Sequence, residues 1–252
     1  MFIIGGIQKT TLVDFPNKVA AIVFTQGCNF RCGYCHNPSL LAYPPLEGGL
    51  KSVISGWGIN SKTHLQHTSK RENAKDFFSF LQTRIGKLDG VVITGGEPTL
   101  QSGLYDFIKE IKQMGFEVKL DTNGTNPQII EQLIKDNLLD YIAMDIKAPI
   151  EKYDLITAVK TNKANILKTI ELIKNNNVDY EFRTTVLKSQ LSHEDFNQIG
   201  QMIKGAKRYY LQKFVPSEIL NKNLLNEQTY TNEEFKTICE NLKKYIEFVD
   251  YR

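Results

Sequence analysis

Short runs of β-branched and apolar residues alternate with helical patterns along most of this chain of 252 residues. The runs carry apolar residues at consecutive positions, which is typical of strands that are covered on both faces of a parallel sheet. Alternation of strand and helix at intervals of roughly thirty residues indicates βαβ units. The six predicted strands cover residues 19–25, 90–94, 117–121, 141–146, 180–186 and 208–214. Because a closed barrel of such units has eight strands, we expect an α/β fold with a partial (β/α)6 parallel barrel.

The chain is predicted to form a single domain over residues 1–252. An apolar stripe over residues 104–111 ends before Gly115, and Asn126 followed by Pro127 is a typical helix start. Three segments depart from the alternating pattern. We expect a hairpin or extended cap at residues 1–17, an inserted polar surface loop at 51–71 and a C-terminal helix at 231–248.

Charge and hydropathy argue against two classes of partner. The net charge of +3 is too weak to indicate a nucleic-acid or membrane surface. No apolar run approaches the length of a bilayer span, and the first residues lack the pattern of a signal peptide. We therefore expect a cytoplasmic protein that binds neither nucleic acid nor membrane.

Three of the four cysteines lie close together in a CxxxCxxC pattern: Cys28, Cys32 and Cys35. They directly follow the first predicted strand, and a loop there could place three thiolates on three corners of a [4Fe–4S] cluster, leaving the fourth iron open to a small ligand. A zinc site completed by His36 and a set of free thiols are the alternatives. Cys239 stands alone and is expected to be a half-buried helix residue.

Polar groups follow the next three predicted strands. The second strand ends at Gly95, Gly96 and Glu97, whose carbonyls and carboxylate could receive an ammonium group, although the segment could also be a simple turn. The other strand ends contribute Asp121, Thr122, Asn123, Asp145 and Lys147. Asp121 and Asn123 are also common turn residues. In parallel barrels, the carboxyl ends of the strands form the active-site face, which favours roles around a ligand.

With these motifs, the chain resembles the radical S-adenosylmethionine superfamily, whose signatures are CxxxCxxC with an aromatic residue before the last cysteine and Gly-Gly-Glu-Pro. The resemblance implies that Cys28, Cys32 and Cys35 bind the [4Fe–4S] cluster. It also implies that Tyr34 packs beside the adenine of S-adenosylmethionine. The methionine end of that cofactor would then be received by Gly95, Gly96 and Glu97, with Asn123 and Lys147 also contacting it.

Within the superfamily, the chain most resembles the activating enzymes of glycyl-radical proteins, in particular those of anaerobic ribonucleoside-triphosphate reductase. The matching segments are residues 6–16, 24–28, 34–38, 119–124 and 144–149. In related activating enzymes, the residues at Asp121, Thr122 and Asp145 help to form a monovalent-cation site, and oxygen ligands suit such a cation. Residues 51–71 look like an insertion relative to this family.

The resemblance implies a reaction and its partners. The reduced cluster would cleave S-adenosylmethionine to methionine and a 5′-deoxyadenosyl radical, which would take a hydrogen atom from a glycine of the partner enzyme. A flavodoxin or ferredoxin-type protein would supply the electron, because no second cluster motif is present. A radical enzyme acting on a small molecule or nucleoside is one alternative, and a non-catalytic zinc-binding interaction module is a remote one.

Overall fold

The computed structural model describes residues 2–42 and 74–252. Its strands form one sheet in which neighbours follow chain order from β1 to β8. The strands are β1 (Ile4–Thr11), β2 (Ala20–Thr25), β3 (Gly90–Gly95), β4 (Glu117–Thr122), β5 (Tyr141–Asp145), β6 (Asp179–Val186), β7 (Arg208–Lys213) and β8 (Phe248–Tyr251). The helices are α1 (Ala74–Gln82), α2 (Leu104–Gln113), α3 (Pro127–Lys135), α4 (Tyr153–Thr157), α5 (Lys163–Lys174), α6 (His193–Met202) and α7 (Asn232–Leu242).

The described chain divides into two compact units. In the first unit, β1 pairs antiparallel with β2, while β2 to β4 run parallel, with Ala20 opposite Gly90 and Gly90 opposite Glu117. In the second unit, β6 to β8 run parallel. Among the described residues, the first unit contains 2–29, 39–42, 74–122 and 128–142, and the second contains 30–38, 123–127 and 143–252.

The core of the first unit follows from the apolar strand runs. Ala21, Val23, Val91 and Ile93 are completely buried on one face of β2 and β3, and Ala20 and Val92 are buried on the other, as expected for strands that are covered on both faces. On α2, the predicted apolar stripe is buried, and the helix ends before Gly115, which has a φ of +89°. The predicted stop signal and the observed helix end therefore agree.

The second unit is built from the same pattern of strands and helices. On α5, Ile166, Ile170 and Ile173 are buried, and the side chain of Asn162 caps the helix start. Helix α6 begins with a capping box, in which Ser192 accepts a hydrogen bond from the backbone of Asp195 and Asp195 accepts one from the backbone of Ser192. Local capping thus fixes where both helices begin.

The α/β fold class is confirmed, and each of the six predicted strands is present. The strand number is wrong, because β1 and β8 add to the predicted six. The C-terminal helix predicted over 231–248 ends at Leu242. The chain beyond it enters β8, because the backbone N–H groups of Glu247 and Phe248 donate hydrogen bonds to the carbonyls of Ala206 and Lys207 beside β7. The predicted single domain stays a prediction, and the loop predicted at 51–71 lies outside the described residues.

None of the helices within the described ranges is long and apolar enough to cross a bilayer.

Asp195 provides a test of the capping box. Its Oδ2 atom accepts hydrogen bonds from Ser192 N (2.7 Å), Ser192 Oγ (2.8 Å) and Lys152 Nζ (2.8 Å). Asp195→Asn removes the charged acceptor, so we expect the free energy of unfolding to fall by about 1–2 kcal/mol in urea denaturation at pH 7. Glu194→Gln, an exposed position in the same turn, is the matched control and should leave stability nearly unchanged.

The effect of Asp195 should depend on pH. Burial alone would raise the pKa of Asp195, but the hydrogen bonds from Lys152 and Ser192 outweigh it and lower the pKa. A lowered pKa in the folded state means that the stabilisation is present above the unfolded pKa of 3.8 and is lost as the pH falls below it. The difference between wild type and Asp195→Asn should therefore shrink below about pH 4. A constant difference down to pH 2 would contradict the assignment.

Candidate active site

The residues predicted to form the site are divided between the two units. The first unit carries Cys28, Gly95, Gly96, Glu97, Asp121 and Thr122. The second carries Cys32, Tyr34, Cys35, Asn123, Asp145 and Lys147.

In the first unit, the end of β3 lies directly against the start of the cysteine loop. Gly95 has a φ of +114°, and a Cβ on it would lie 2.3 Å from Thr25 N. A Cβ on Gly96 would lie 1.9 Å from Gly27 O, whereas the backbone of Glu97 donates a 2.7 Å hydrogen bond to that same oxygen. Both positions therefore require glycine so that the two strand ends can approach each other.

The carboxylate of Glu97 connects the ends of β3 and β4. Glu97 is fully buried, and its Oε1 atom accepts hydrogen bonds from Thr99 N (3.1 Å), Thr99 Oγ1 (2.6 Å) and Thr122 Oγ1 (2.8 Å). A buried carboxylate is stable only when it is hydrogen-bonded in this way. Glu97 therefore links the end of β3 to the end of β4 through its hydrogen bonds. The contact of Glu97 with an ammonium group stays a prediction.

Asp121 forms an ion pair that the sequence analysis did not predict. Lys119 Nζ lies 2.5 Å from Asp121 Oδ1, and the side chain of Lys119 is only 2% exposed. The two residues are two positions apart on β4 and so share one face of the strand. That spacing was visible in the sequence as Lys-Leu-Asp, and it could have indicated the pair.

In the second unit, the remaining cysteine-loop residues are largely buried. Burial raises the pKa of Cys32 to about 11 and also raises the pKa of Cys35. Both thiols are therefore neutral at pH 7, and iron would have to displace their protons. The Tyr34 Oη atom is buried and has no hydrogen-bond partner in the described part of the chain. A buried unsatisfied hydroxyl is costly, and it is the kind of group that a bound ligand satisfies.

Asp145 and Lys147 form a compact charged group with Arg183 of β6. Asp145 Oδ1 accepts from Arg183 Nε at 2.9 Å, and Asp145 Oδ2 accepts from Lys147 Nζ at 3.1 Å. Burial alone would raise the pKa of Asp145, but the charges of Arg183 and Lys147 outweigh it and hold the pKa well below its usual value. The backbone of Lys147 also donates to Tyr153 Oη at 3.2 Å. Arg183 and Tyr153 were not predicted to belong to the site.

Asn123 forms a turn after β4, which was the alternative interpretation of this residue. Its Oδ1 atom accepts hydrogen bonds from Thr125 N (3.1 Å) and Thr125 Oγ1 (2.7 Å). Gly124 follows with a φ of +78°, and a Cβ on it would lie 2.1 Å from Met144 Cε. The contact of Asn123 with S-adenosylmethionine stays a prediction.

Across residues 2–42 and 74–252, no three His, Cys, Asp or Glu side chains converge closely enough to hold one metal ion. A [4Fe–4S] cluster has a different requirement, because each cysteine binds a separate iron. The donor types of the cysteine loop suit such a cluster, and the unsatisfied Tyr34 hydroxyl beside Cys32 suits a second ligand. Cluster binding by Cys28, Cys32 and Cys35 and cation binding by Asp121, Thr122 and Asp145 stay predictions.

Comparison with known proteins identifies related chains. Residues 22–203 match the family model of the radical SAM superfamily. A candidate glycyl-radical enzyme activating enzyme of Methanocaldococcus jannaschii is 33% identical over 99% of this chain and 95% of its own length. The pyruvate formate-lyase-activating enzyme of Clostridium pasteurianum is 27% identical over 87% of this chain and 84% of its own length.

The fold is also similar to that of a solved structure. Streptococcus suis SuiB, bound to S-adenosylmethionine, aligns with a TM-score of 0.62 at 12% identity. The alignment covers 89% of this chain and 48% of SuiB. At this low identity, the similarity concerns the fold alone.

The charged group around Asp145 can be tested by stability measurements. Asp145→Asn would leave Lys147 and Arg183, which are 15% and 12% exposed, without their shared counter-ion. We expect the free energy of unfolding of the cofactor-free protein to fall by about 2–3 kcal/mol, less than for fully buried charges because Asp145 is 28% exposed. Glu240→Gln breaks an exposed ion pair with Lys243 and is the control, with no measurable change expected. Equal losses in both variants would contradict the assignment.

Proposed function

Because the chain belongs to the radical SAM superfamily and, within it, to the family of glycyl-radical enzyme activating enzymes, we propose that it activates anaerobic ribonucleoside-triphosphate reductase. The observation that supports an activating enzyme is the 33% identity to such a protein over nearly the full length of both chains. The reductase is favoured as the partner by the N-terminal segment 6–16, which resembles the opening of that reductase's activating enzymes.

The cofactors would supply the bond-breaking chemistry: a [4Fe–4S] cluster and S-adenosylmethionine provide one-electron cleavage of a carbon–sulfur bond and a hydrogen-atom acceptor. The chain would bind the cluster through the thiolates of Cys28, Cys32 and Cys35. The Tyr34 hydroxyl, buried and unsatisfied beside Cys32, would donate to the bound cofactor or to a water that accompanies it.

The other side chains of the proposed site would orient the cofactor and exclude water. The carbonyls of Gly95 and Gly96 would accept hydrogen bonds from its ammonium group, with Glu97 holding that segment in place. Lys147 would meet its carboxylate, because Asp145 keeps Lys147 charged: burial alone would lower the pKa of Lys147, but the charge of Asp145 raises it well above its usual value. A monovalent cation at Asp121, Thr122 and Asp145 completes the proposal.

The remaining partners are also part of the proposal. A flavodoxin or ferredoxin-type protein would donate the electron, and the reaction would take place in the cytoplasm. A protein substrate follows from the proposed reaction, because an activating enzyme of a glycyl-radical enzyme acts on a protein, and the 33% identical relative is such an activating enzyme.

The test is activation of the reductase by the anaerobically reconstituted chain. We expect dithionite and S-adenosylmethionine to produce a glycyl-radical doublet in the electron paramagnetic resonance spectrum of the reductase from the same organism. About one 5′-deoxyadenosine should form per radical, because the hydrogen atom comes from one glycine. A reductase in which the radical glycine is replaced by alanine is the control and should give no doublet.

Two outcomes would contradict the proposal in different ways. A radical that forms on pyruvate formate-lyase but not on the reductase would retain the activating reaction and reject the reductase as the partner. Formation of 5′-deoxyadenosine with no radical on either protein would favour the alternative, a radical enzyme that acts on a small molecule.

A further inference from the structure

The segment between β7 and α7 covers residues 214–231. Most of its residues are exposed or half-buried, and it contains one short 3₁₀ helix, Lys222–Asn226. The side chain of Asn221 caps this helix by accepting a hydrogen bond from Asn223 N at 3.1 Å. An ordered but exposed connection at the carboxyl end of a parallel strand is a common position for ligand-binding loops.

One side of this segment is fixed to the cysteine loop. Asn221 N donates to Gly33 O at 2.8 Å, and Leu220 N donates to Cys35 O at 3.2 Å. A Cβ on Gly33 would lie 2.9 Å from Leu224 Cδ1, so the side chain of Leu224 packs directly against the backbone of Gly33. A ligand that binds to segment 214–231 would therefore contact the same segment that is hydrogen-bonded to the loop carrying Cys32 and Cys35.

The same segment borders a polar cavity of about 410 Å³. The described residues that line the cavity are Lys188, Ser189, Asn223, Asn226, Glu227 and Gln228. The charge of Lys188 is already paired, since its Nζ lies 2.6 Å from Glu234 Oε1 and 5.0 Å from the centre of the Tyr230 ring. Besides this paired ammonium group, the lining presents three carboxamides, the hydroxyl of Ser189 and the carboxylate of Glu227, so uncharged hydrogen-bonding groups outnumber charged ones.

The lining indicates the chemical class of the occupant. A carboxamide presents one acceptor oxygen and two donor hydrogens, so Asn223, Asn226 and Gln228 can pair with both the C=O and the N–H groups of a peptide. A nucleoside base needs a flat apolar or aromatic wall, and the described lining residues provide none. An extended peptide backbone matches the observed groups better.

We propose that this cavity binds the main chain of an extended segment of the glycyl-radical protein substrate, next to the glycine that reacts. The inference rests on the proposed function, because it requires a protein substrate. Segment 214–231 is hydrogen-bonded to the cysteine loop, so a substrate segment that binds to it would lie next to that loop. The side-chain amides of Asn223 and Asn226 would form hydrogen bonds with the backbone of the substrate segment.

The test compares two double variants at matched exposed amides. Asn223→Ala/Asn226→Ala removes two side chains from the cavity, whereas Gln113→Ala/Gln132→Ala removes two exposed amides on α2 and α3 of the first unit. The rate of glycyl-radical formation is measured against the concentration of the reductase. Binding of a fluorescent synthetic peptide spanning its radical glycine is measured separately by anisotropy.

We expect the cavity variant to raise the KM for the reductase and the Kd for the peptide about tenfold, with kcat changed by less than about twofold. Release of 5′-deoxyadenosine without the reductase reports on folding and cofactor binding and should be equal in all three proteins. Wild-type KM and Kd in the cavity variant would overturn the inference while leaving the proposed function intact. A wild-type chain that forms a radical on neither the reductase nor pyruvate formate-lyase would overturn both.

Discussion

The close approach of two strand ends is the constraint on which the first unit's part of the site depends. Gly96 leaves no room for a side chain, because a Cβ there would overlap Gly27 O. This contact brings the backbone of Glu97 within hydrogen-bond distance of the residue before Cys28. The buried carboxylate of Glu97 then connects the same point to Thr122 at the end of β4. The Gly-Gly-Glu motif thus connects the ends of β2, β3 and β4, in addition to being a candidate cofactor contact.

Charge compensation organises the side chains that were expected to bind a cation. Asp121 is paired with Lys119 in the first unit, and Asp145 is paired with Lys147 and Arg183 in the second. Each carboxylate therefore has a protein counter-ion before any cofactor binds. A metal cation that binds these oxygens would compete with ammonium or guanidinium groups, or would displace them. Such exchange is reasonable where charges lie close together in a largely buried site.

The sequence predicted those parts of the molecule that local patterns encode. The six strands and the end of α2 before Gly115 follow from apolar runs and a helix stop, and both were found. Strand β8 was missed because it is only four residues long and no glycine or proline separates it from α7. Arg183 was missed because it meets Asp145 across 38 positions of sequence, a relation that no local spacing reveals. For the same reason, the contact between Asn221 and Gly33 could not be predicted.

The central claim is that three cysteines hold a cluster whose fourth iron binds S-adenosylmethionine. The most direct measurement is the electron paramagnetic resonance spectrum of the dithionite-reduced, reconstituted protein, recorded before and after addition of S-adenosylmethionine, for wild type and Cys239→Ser. The account predicts a [4Fe–4S]⁺ signal that changes on addition of S-adenosylmethionine, identically in both proteins, because the buried Cys239 is not a ligand. Loss of the signal in Cys239→Ser, or a wild-type signal that S-adenosylmethionine does not change, would contradict it.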